Sequence, residues 1–484
     1  MIKKSIFFSF LLPLCLSFSA YSQQITVSAK DINVLTAKGA LLMDVQSFEN
    51  VVYEAFFAID SKSQENTPPV YINTYEDGIL KKTLRLDLEG FITGEFREDY
   101  SHYKHLHIFP LGKDEFIISV YTAYSDNRLG IFHIKNNEIL YSKGFNLKAF
   151  IAYETQKYCY DGKDTIYIAF EGQNDFAKSK WDAFILAFDL KCNLVKAVSV
   201  YTKDIDEILA IAAVGNNIYF HLSNSSWSNQ CIVQMDKNFN IKKTICNYYD
   251  KSDIRGWYLY SYDDCFYIES IIRNDPSTYL SRYDSDGNLL GTYKISFKDS
   301  EENYYTMDLF FTPEGLTPLV NKYDFDSFWK NDAVKNIERF TYFMDWNGNL
   351  LWQYTFSKGN NISKSLTAKS DSKFLCFDTY NHKTTGIGKV LYDFTVEEKN
   401  ADCDWVNVEK ISTDFLQAPE NPASYNSYLA LNAEWNDKLM VNKIKVPELK
   451  FPVSLRQVQL KYVNARPDDA KITGNIPHLP FSDR

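Results

Sequence analysis

Three tryptophans, Trp181, Trp227 and Trp329, lie within or directly after long polar segments that separate apolar runs. Arg255 and Trp257 belong to a fourth such segment. Flat aromatic rings with a polar edge suit sugar rings and peptide side chains. We therefore predict that these five residues form a ligand-binding surface. The alternative is that each tryptophan caps an apolar core, because tryptophan is usually well buried.

Histidines are the next group whose spacing could do chemistry. His102, His105 and His107 are close in sequence, and His105 and His107 would share one face of a strand. With His133 as a third ligand they could hold a metal ion. Histidines two apart on an aromatic-rich strand more often pack or face solvent, so we predict no metal site.

An acidic segment runs Asp284-Ser285-Asp286-Gly287-Asn288. It is similar to the start of a calcium loop but lacks the glutamate that completes one. Asp and Asn side chains can instead bond their own backbone, with Gly supplying a positive φ. We predict a structural turn here.

Motifs for nucleophilic, phosphate-binding or zinc-dependent chemistry, such as Gly-x-Ser-x-Gly and His-Glu-x-x-His, are absent from the chain. Acidic residues are frequent in the polar segments, but their spacing selects no catalytic pair. The sequence therefore predicts no cofactor. It favours a protein that is not an enzyme without deciding the question.

Short β-rich runs separated by turn residues extend over the whole chain, which predicts an all-β fold. Hairpin starts recur about every 50 residues as a turn residue, a spacer and an apolar strand residue. The six apolar strand residues are Phe116, Ile166, Ile218, Phe266, Leu316 and Phe374. Some of these strands, such as Ile166–Phe170, are apolar on both faces, as expected where sheets are stacked.

A second turn repeats in phase with the first, beginning at Asp189, Asp236, Asp284 and Asp345. Two hairpin turns per repeat give four strands, which is the plan of a β-propeller blade. In such a blade the two tight turns lie on one face of the disk. The loops between the second and third strands lie on the other, which we call the loop face. These loops precede or contain Trp181, Trp227 and Trp329.

The ends of the chain leave the blade number open. Residues 40–86 can form one blade, and residues 427–462 supply about three further strands. If the strand Ile25–Ala29 completes that last sheet, the propeller has eight blades; if the terminal pieces merge into a single blade, it has seven. In both cases terminal strands close the ring. We predict one propeller domain over residues 23–466 and an extended tail over residues 467–484.

The repeated Asp-x-x-Gly-Asn-Leu turn resembles the outer hairpin of secreted bacterial β-propeller repeat proteins. The segment from Met344 to Trp352 is similar to quinoprotein-type blades, in which a tryptophan docks neighbouring blades. The positions equivalent to Trp352 in other repeats hold Lys196, Lys243 and Gly291. The resemblance implies the propeller architecture and does not carry over a quinone cofactor.

Residues 1–22 have the three parts of a secretory signal peptide: Lys3-Lys4, an apolar run from Ile6 to Phe18, and small residues before an expected cut after Ser22. No other stretch is long and apolar enough to span a membrane. The formal charge of −10 argues against a nucleic-acid partner. Cys231 and Cys246 would face each other across a hairpin, and we interpret them as buried thiols with a disulfide as the alternative.

Taken together, these patterns predict an exported protein located in the periplasm, at the cell surface or outside the cell. Our first hypothesis is a non-catalytic binding or scaffold propeller that engages a glycan, peptide or envelope partner through its loop face. The alternative is a propeller enzyme, such as a glycoside hydrolase, lyase or quinoprotein-like protein, that uses acids near a central channel.

Overall fold

The structure is a computed structural model. It describes residues 28–30, 40–49, 51–58, 69–76, 79–91, 103–122, 127–147, 150–174, 181–201, 207–223, 230–246, 254–272, 275, 277–297, 303–323, 338–356, 362–370, 373–382, 386–395, 406–412 and 439–458. For some strand residues it describes the backbone alone. The predicted signal peptide and the predicted tail over residues 467–484 lie outside these ranges.

The described part of the chain is all-β and contains seven antiparallel sheets of four or five strands. Sheet 1 has β2 (Ala40–Phe48), β3 (Val51–Ala58), β4 (Val70–Glu76) and β5 (Ile79–Asp87); sheet 2 has β6 (Tyr103–Gly112), β7 (Glu115–Thr122), β8 (Arg128–Lys135) and β9 (Glu138–Asn146). Sheet 3 has β10 (Phe150–Tyr160), β11 (Thr165–Asn174), β12 (Trp181–Asp189) and β13 (Leu194–Tyr201); sheet 4 has β14 (Glu207–Val214), β15 (Asn217–Ser223), β16 (Gln230–Asp236) and β17 (Ile241–Cys246). Sheet 5 has β18 (Ile254–Tyr262), β19 (Cys265–Ile272), β20 (Thr278–Asp284) and β21 (Leu289–Phe297); sheet 6 has β22 (Asn303–Thr312), β23 (Gly315–Tyr323), β24 (Glu338–Asp345) and β25 (Leu350–Phe356). Sheet 7 has β26 (Ile362–Ser370), β27 (Lys373–His382), β28 (Gly386–Thr395) and, beside β28, β1 (Ser28–Lys30).

We call the strand given first in each sheet above its inner strand, and most of these strands touch the corresponding strand of a neighbouring sheet. β2 contacts β6, β6 contacts β10, β10 contacts β14, and β14 contacts β18. β22 contacts β26, and β26 also contacts β2 of sheet 1. Each inner strand carries one register shift in its first half, as at Leu42/Asp44 and Tyr103/His105. Such bulges bend a strand and re-aim its side chains.

Apolar clusters fill the spaces between consecutive sheets from sheet 1 to sheet 6. On β11, Ile166, Ile168 and Phe170 pack toward sheet 2, whereas Tyr167 and Ala169 pack toward sheet 4. The prediction that this strand is covered on both faces is confirmed. Stacked sheets explain why the sequence lacks the apolar–polar alternation of a one-sided sheet.

The repeated turns between the third and fourth strands are built as predicted. Asp284 Oδ1 accepts the backbone N–H groups of Asp286 and Asn288 at 2.9 and 2.8 Å, and Asn288 Nδ2 donates to Asp284 Oδ2 at 2.8 Å. Gly287 has φ 86°. Asp189, Asp236 and Asp345 repeat these bonds. The acidic segment is thus a structural turn whose carboxylate is satisfied by its own backbone.

A tyrosine near the start of the second strand docks several sheets onto the next one. The Tyr53 hydroxyl donates to Gly112 O at 2.6 Å, and the Tyr219 hydroxyl donates to Ser285 O at 2.7 Å. Tyr267 instead packs its ring 5.6 Å from that of Trp346. These side chains are fully buried, so a hydroxyl that bridges sheets both fills space and satisfies a turn carbonyl.

The C-terminal part of the chain forms a belt, defined here as described residues 406–412 and 439–458. It contains β29 (Val406–Ile411), β30 (Met440–Lys443), β31 (Glu448–Leu449) and β32 (Ser454–Val458). β29 pairs with β21 of sheet 5, β30 with β13 of sheet 3, β31 with β9 of sheet 2 and β32 with β5 of sheet 1. The belt therefore adds a fifth strand to the outer edges of four sheets, in the reverse of their chain order.

The belt alternates buried and exposed side chains. Its partly buried members pack into the clusters between sheets: Ile444, Val446, Leu449, Phe451, Val453 and Leu455. Phe451 lies 4.7 Å from Phe91 by ring centroids and covers Gly144, where a Cβ would collide with the Phe451 ring. The belt thus covers the apolar clusters at the outer strands. It also pairs with strand edges that would otherwise be open to another chain.

This arrangement differs from the expectation for the chain ends. The belt strands do not pair with one another, so within the described residues the segment predicted to form a terminal sheet is spread over several sheets. The N-terminal strand joins sheet 7 instead. Alternation marks a strand with one buried face but carries no information about which edge it pairs with.

No helix in the described part of the chain is long and apolar enough to cross a membrane. Cys231 lies directly opposite Cys246 in the β16–β17 hairpin, as the symmetric spacing predicted. Cys231 is buried in the cluster between sheets 3 and 4.

Candidate functional site

The predicted ligand surface falls mostly on residues whose side chains the structure does not describe. Trp227 and Trp329 lie outside the described ranges. Trp181 is the first residue of β12, opposite Gln173, so its backbone stands where the loop between the second and third strands returns to sheet 3. Arg255 and Trp257 lie within β18, the inner strand of sheet 5, rather than in the polar segment that precedes it. All five residues remain predictions as ligand contacts.

Asp182 follows Trp181 and is a buried acidic residue at the loop end of sheet 3. Its side chain lies on the face of β12 that carries Phe184 and Leu186 toward sheet 2, and the residue is only 6% exposed. No described residue forms a salt bridge or hydrogen bond with it. Burial raises the pKa of Asp182 to about 6. A buried carboxyl without a counter-charge at a loop edge is typical of functional sites, because it costs stability.

A second polar cluster lies on the inner strands of sheets 1, 2 and 3. Asp44 on β2 is 7% exposed, and its Oδ2 lies 3.0 Å from His107 Nδ1 on β6. The same oxygen accepts the backbone N–H of Ile108 at 2.7 Å, and Gln46 Nε2 donates to the other oxygen at 3.0 Å. One carboxylate thus ties two sheets together and orients an imidazole.

The bonds to Asp44 decide its charge. Burial alone would raise the pKa of this carboxyl, but His107, the Ile108 N–H and Gln46 favour the ionised form more strongly. The net effect is a pKa below the ordinary value. An ionised Asp44 that accepts from His107 Nδ1 leaves Nε2 as the other nitrogen of the ring.

Aromatic rings fix the imidazole in place. The Tyr158 ring on β10 stacks on the His107 ring at 4.3 Å with 10° between the planes, and Phe109 packs edge-on at 4.6 Å. Burial raises the pKa of the Tyr158 phenol well above its ordinary value. Tyr158 is therefore a neutral hydroxyl beside the Asp44–His107 pair. We call Asp44, His107 and Tyr158 the inner-strand cluster.

The histidines that are close in sequence make different contacts. His105 shares a face of β6 with His107 and lies 6.4 Å from Tyr121 by ring centroids. His133 lies on β8, where Nε2 is 2.9 Å from Glu115 Oε1 and Nδ1 donates to Leu190 O at 2.6 Å. Within the described residues, no three His, Cys, Asp or Glu side chains are grouped as metal ligands. His102 lies outside those residues.

Sequence reasoning singled out His107 but missed Asp44, Tyr158 and Asp182. Asp44 stands inside an apolar run, Ala40–Val45, which is the one local signal for a buried carboxylate. Its partner comes from another sheet, so spacing along the chain could not identify the pair.

Comparisons with known proteins identify no family: no family model and no curated protein matches the chain. Solved structures with similar folds include the polysaccharide lyase Uly1, with 8% identity, a TM-score of 0.41, and coverage of 75% of this chain and 91% of that one. An acylaminoacyl peptidase of Pyrococcus horikoshii has 10% identity and a TM-score of 0.44, with coverage of 75% and 53%, so the match spans about half of the peptidase. An oligogalacturonate lyase in complex with manganese has 10% identity and a TM-score of 0.36, with coverage of 74% and 98%. These are propeller-like arrangements of antiparallel sheets. At this level of similarity they carry no argument about activity.

Proposed function

We propose that the seven sheets close into a single seven-bladed β-propeller. Contacts between the inner strands of sheet 1 and its neighbours on both sides, β6 and β26, support this closure. β1 then closes the ring, because it comes from the N-terminal end of the chain and completes the last sheet. Sharing a sheet between the two ends of the chain leaves the ring without a free seam.

We further propose that the protein is exported after removal of residues 1–22. The short apolar run and the small residues before Ser22 support this cleavage. N-terminal sequencing of the protein recovered from its native host should begin at Gln23. A mature chain that starts at Met1 would contradict export by this route.

The function we propose is non-catalytic binding of a glycan or peptide partner through the loop face. One observation carries it: much of the other described surface is used for structure. The outer edges of sheets 1, 2, 3 and 5 are paired with the belt, and the tight turns satisfy their own polar groups. The opposite face bears the longer connections, and there the buried Asp182 adjoins Trp181. Loops on a rigid scaffold are the usual place for recognition.

Alanine variants of Trp181, Trp227 and Trp329 test this proposal without knowledge of the ligand. If the rings face solvent to receive a ligand, each substitution should change the free energy of unfolding by less than about 1 kcal/mol. A double variant should then lose retention on a glycan or peptide array while its circular dichroism spectrum stays that of the parent.

Trp346→Ala is the matched control, because the Trp346 ring packs against Tyr267 and beneath the Arg282 guanidinium. Its melting temperature should fall clearly. Losses of about 3–5 kcal/mol in all three loop variants would show buried rings instead and end the proposal.

The inner-strand cluster favours a second candidate, an enzyme that uses acid–base chemistry near the axis. Among the side chains that the structure describes on inner strands, Asp44 is the one carboxylate, whereas glycoside hydrolysis by paired carboxylates needs two. Screening polysaccharides for new reducing ends or unsaturated products, with His107→Gln in parallel, separates the candidates. Product formation that depends on His107 would replace the binding proposal.

A further inference from the structure

The last part of the belt is basic, although the protein as a whole is acidic. The chain has a formal charge of −10, yet described residues 439–458 contain a single acidic residue, Glu448. The basic residues of the same range are all exposed: Lys443, Lys445 and Lys450, which we call the rim lysines, and Arg456. The outward side of the belt therefore carries a positive charge that the overall composition does not indicate.

The belt also places basic side chains opposite other basic side chains. In the β32–β5 ladder of sheet 1, Arg456 is the direct partner of Arg85. In sheet 2, extending the β31–β9 register by one residue beyond Leu449 brings Lys450 level with Lys143. Two successive sheets thus pair a basic residue of the belt with a basic residue of their own outer strand.

Sheet 3 repeats this arrangement. β30 pairs with β13, and directly after β30 the Ile444 N–H donates to Ala197 O at 3.1 Å. The next position in this register brings Lys445 level with Lys196. Lys196 Nζ donates to the carbonyl of Asn238 in the turn of sheet 4, so a neutral group and not an acid receives its charge.

Nearby carboxylates compensate only part of this charge. Asp87 lies 2.7 Å from Arg85 Nε and 3.6 Å from Arg456 Nε, so one carboxylate serves two guanidinium groups. Glu448 lies 3.1 Å from Lys143 Nζ. Within the described part of the chain, no acidic side chain forms an ion pair with any of the rim lysines. The belt therefore keeps positive charges without counter-charges.

Stability does not explain the basic pairs. Like charges at directly opposite positions of an antiparallel pair are destabilising. The same belt uses a complementary pair in sheet 5, where Glu409 lies opposite Lys294. Lysine can also keep an open strand edge from pairing with another chain, but that role needs no second basic residue on the neighbouring strand. Three basic pairs in succession indicate a function that uses concentrated positive charge.

The path of the charge indicates the shape of the partner. From Lys443 to Arg456 the belt crosses the outer edges of three sheets over a length of up to about 40 Å, at about 3.3 Å per extended residue. In the proposed ring, the outer edges of successive blades face different directions, so a flat membrane would meet only part of this path. A flexible chain can follow all of it. Lysine is a point charge and suits carboxylate or sulfate groups repeated along such a chain.

We propose that the rim lysines, Arg456 and the basic residues opposite them form a binding track for an acidic polysaccharide. The residues opposite are Arg85, Lys143 and Lys196. Anionic groups of the polysaccharide supply the counter-charges that the protein lacks and relieve the repulsion within each pair. The track lies on the belt and the outer strands, so it does not depend on the binding function proposed for the loop face.

Binding to immobilised polysaccharides tests the track. The probes are alginate, polygalacturonate and chondroitin sulfate, with neutral dextran as the reference, and biolayer interferometry gives the apparent Kd. At least one acidic probe should bind in 50 mM NaCl, and dextran should not. Raising NaCl to 200 mM should weaken that binding by about tenfold or more, because association with a polyanion releases counterions.

Substitution of the rim lysines tests which surface is responsible. Glutamine at all three positions should weaken acidic polysaccharide binding by about tenfold or more and should reduce its salt dependence. The melting temperature should not fall, because the change removes like-charge pairs. The matched control changes three exposed lysines of the tight turns: Lys113→Gln, Lys163→Gln and Lys191→Gln. It alters the net charge equally and should change the affinity by less than about twofold.

The loop-face variant and two other polyanions complete the design. The double tryptophan variant should bind acidic polysaccharides like the parent, which separates the track from the loop face. Vesicles that contain phosphatidylglycerol and a DNA duplex should bind more weakly than the best polysaccharide. The proposal fails if no acidic polysaccharide binds in 50 mM NaCl or if the two triple-lysine variants lose affinity equally. Tighter binding of the vesicles or the duplex would also overturn it.

Discussion

Replacing Leu449, Phe451, Val453 and Leu455 together by serine should lower the free energy of unfolding by on the order of 5 kcal/mol. These four side chains pack against the cluster between sheets 1 and 2. They also hold β31 and β32 on the outer edges of β9 and β5. Removing them both exposes apolar surface and frees two strand edges, so the variant should also aggregate more readily. Urea denaturation followed by tryptophan fluorescence measures the change.

The belt offers its own control. Lys445, Lys450, Ser454 and Gln457 alternate with the buried residues and are exposed. Their joint replacement by alanine should change stability by less than about 1 kcal/mol. If the serine variant is as stable as this control, the belt is not part of the folded core.

Asp182→Asn should stabilise the protein above neutral pH by about 2 kcal/mol, a value discounted from the full shift because the carboxyl is close to a strand end. The sign follows from the raised pKa of about 6. Between the ordinary value of 3.8 and about 6 the unfolded chain ionises at this position while the folded one does not, so the wild type loses stability as pH rises through that window. Asparagine removes this loss. The gain should therefore be full above about pH 7 and absent below about pH 4.

Asp161→Asn is the matched control in the same sheet, with the opposite sign. Asp161 accepts from Lys237 Nζ at 2.6 Å and from three backbone N–H groups, and these bonds outweigh burial to lower its pKa. This substitution should destabilise the protein at neutral pH, and the deficit should shrink as pH falls below about 4. Melting temperatures of both variants across pH give the measurement. A destabilised Asp182→Asn at pH 8 would mean that the carboxylate has a partner.

The sequence predicted those parts of the fold that depend on residues close together in the chain. The Asp284 turn follows from an acid, a glycine and an asparagine within five residues, and the hairpins at Asp164 and Asn216 follow from turn residues beside apolar strands. Such chemistry is complete within a few residues. The two-sided burial of Ile166–Phe170 followed from the absence of polar residues on either face.

The candidate sites and the belt were not predictable in the same way. Asp44 and His107 meet because the inner strands of sheets 1 and 2 lie side by side. A register shift also precedes Asp44 in its own strand. The raised pKa of Asp182 depends on what covers it, which no local pattern records. Three of the four belt strands lie in the segment 427–462 that was predicted to supply strands, but their partners lie far away in the chain.

Because the belt runs against the order of the sheets, it also determines when folding can finish. Sheets 1 to 6 each contain four strands that are consecutive in the chain, so this part of each sheet can form from local contacts while synthesis continues. The pairing of Ser454 with Asp87 and of Val458 with Thr83 joins the two ends of the chain. Such non-local pairing is slow. In a refolding experiment, the circular dichroism signal of β-sheet should therefore appear before the amides of β5 and β9 are protected from hydrogen exchange. A nascent chain that lacks its last segment leaves these strand edges unpaired, and a holdase chaperone can bind them.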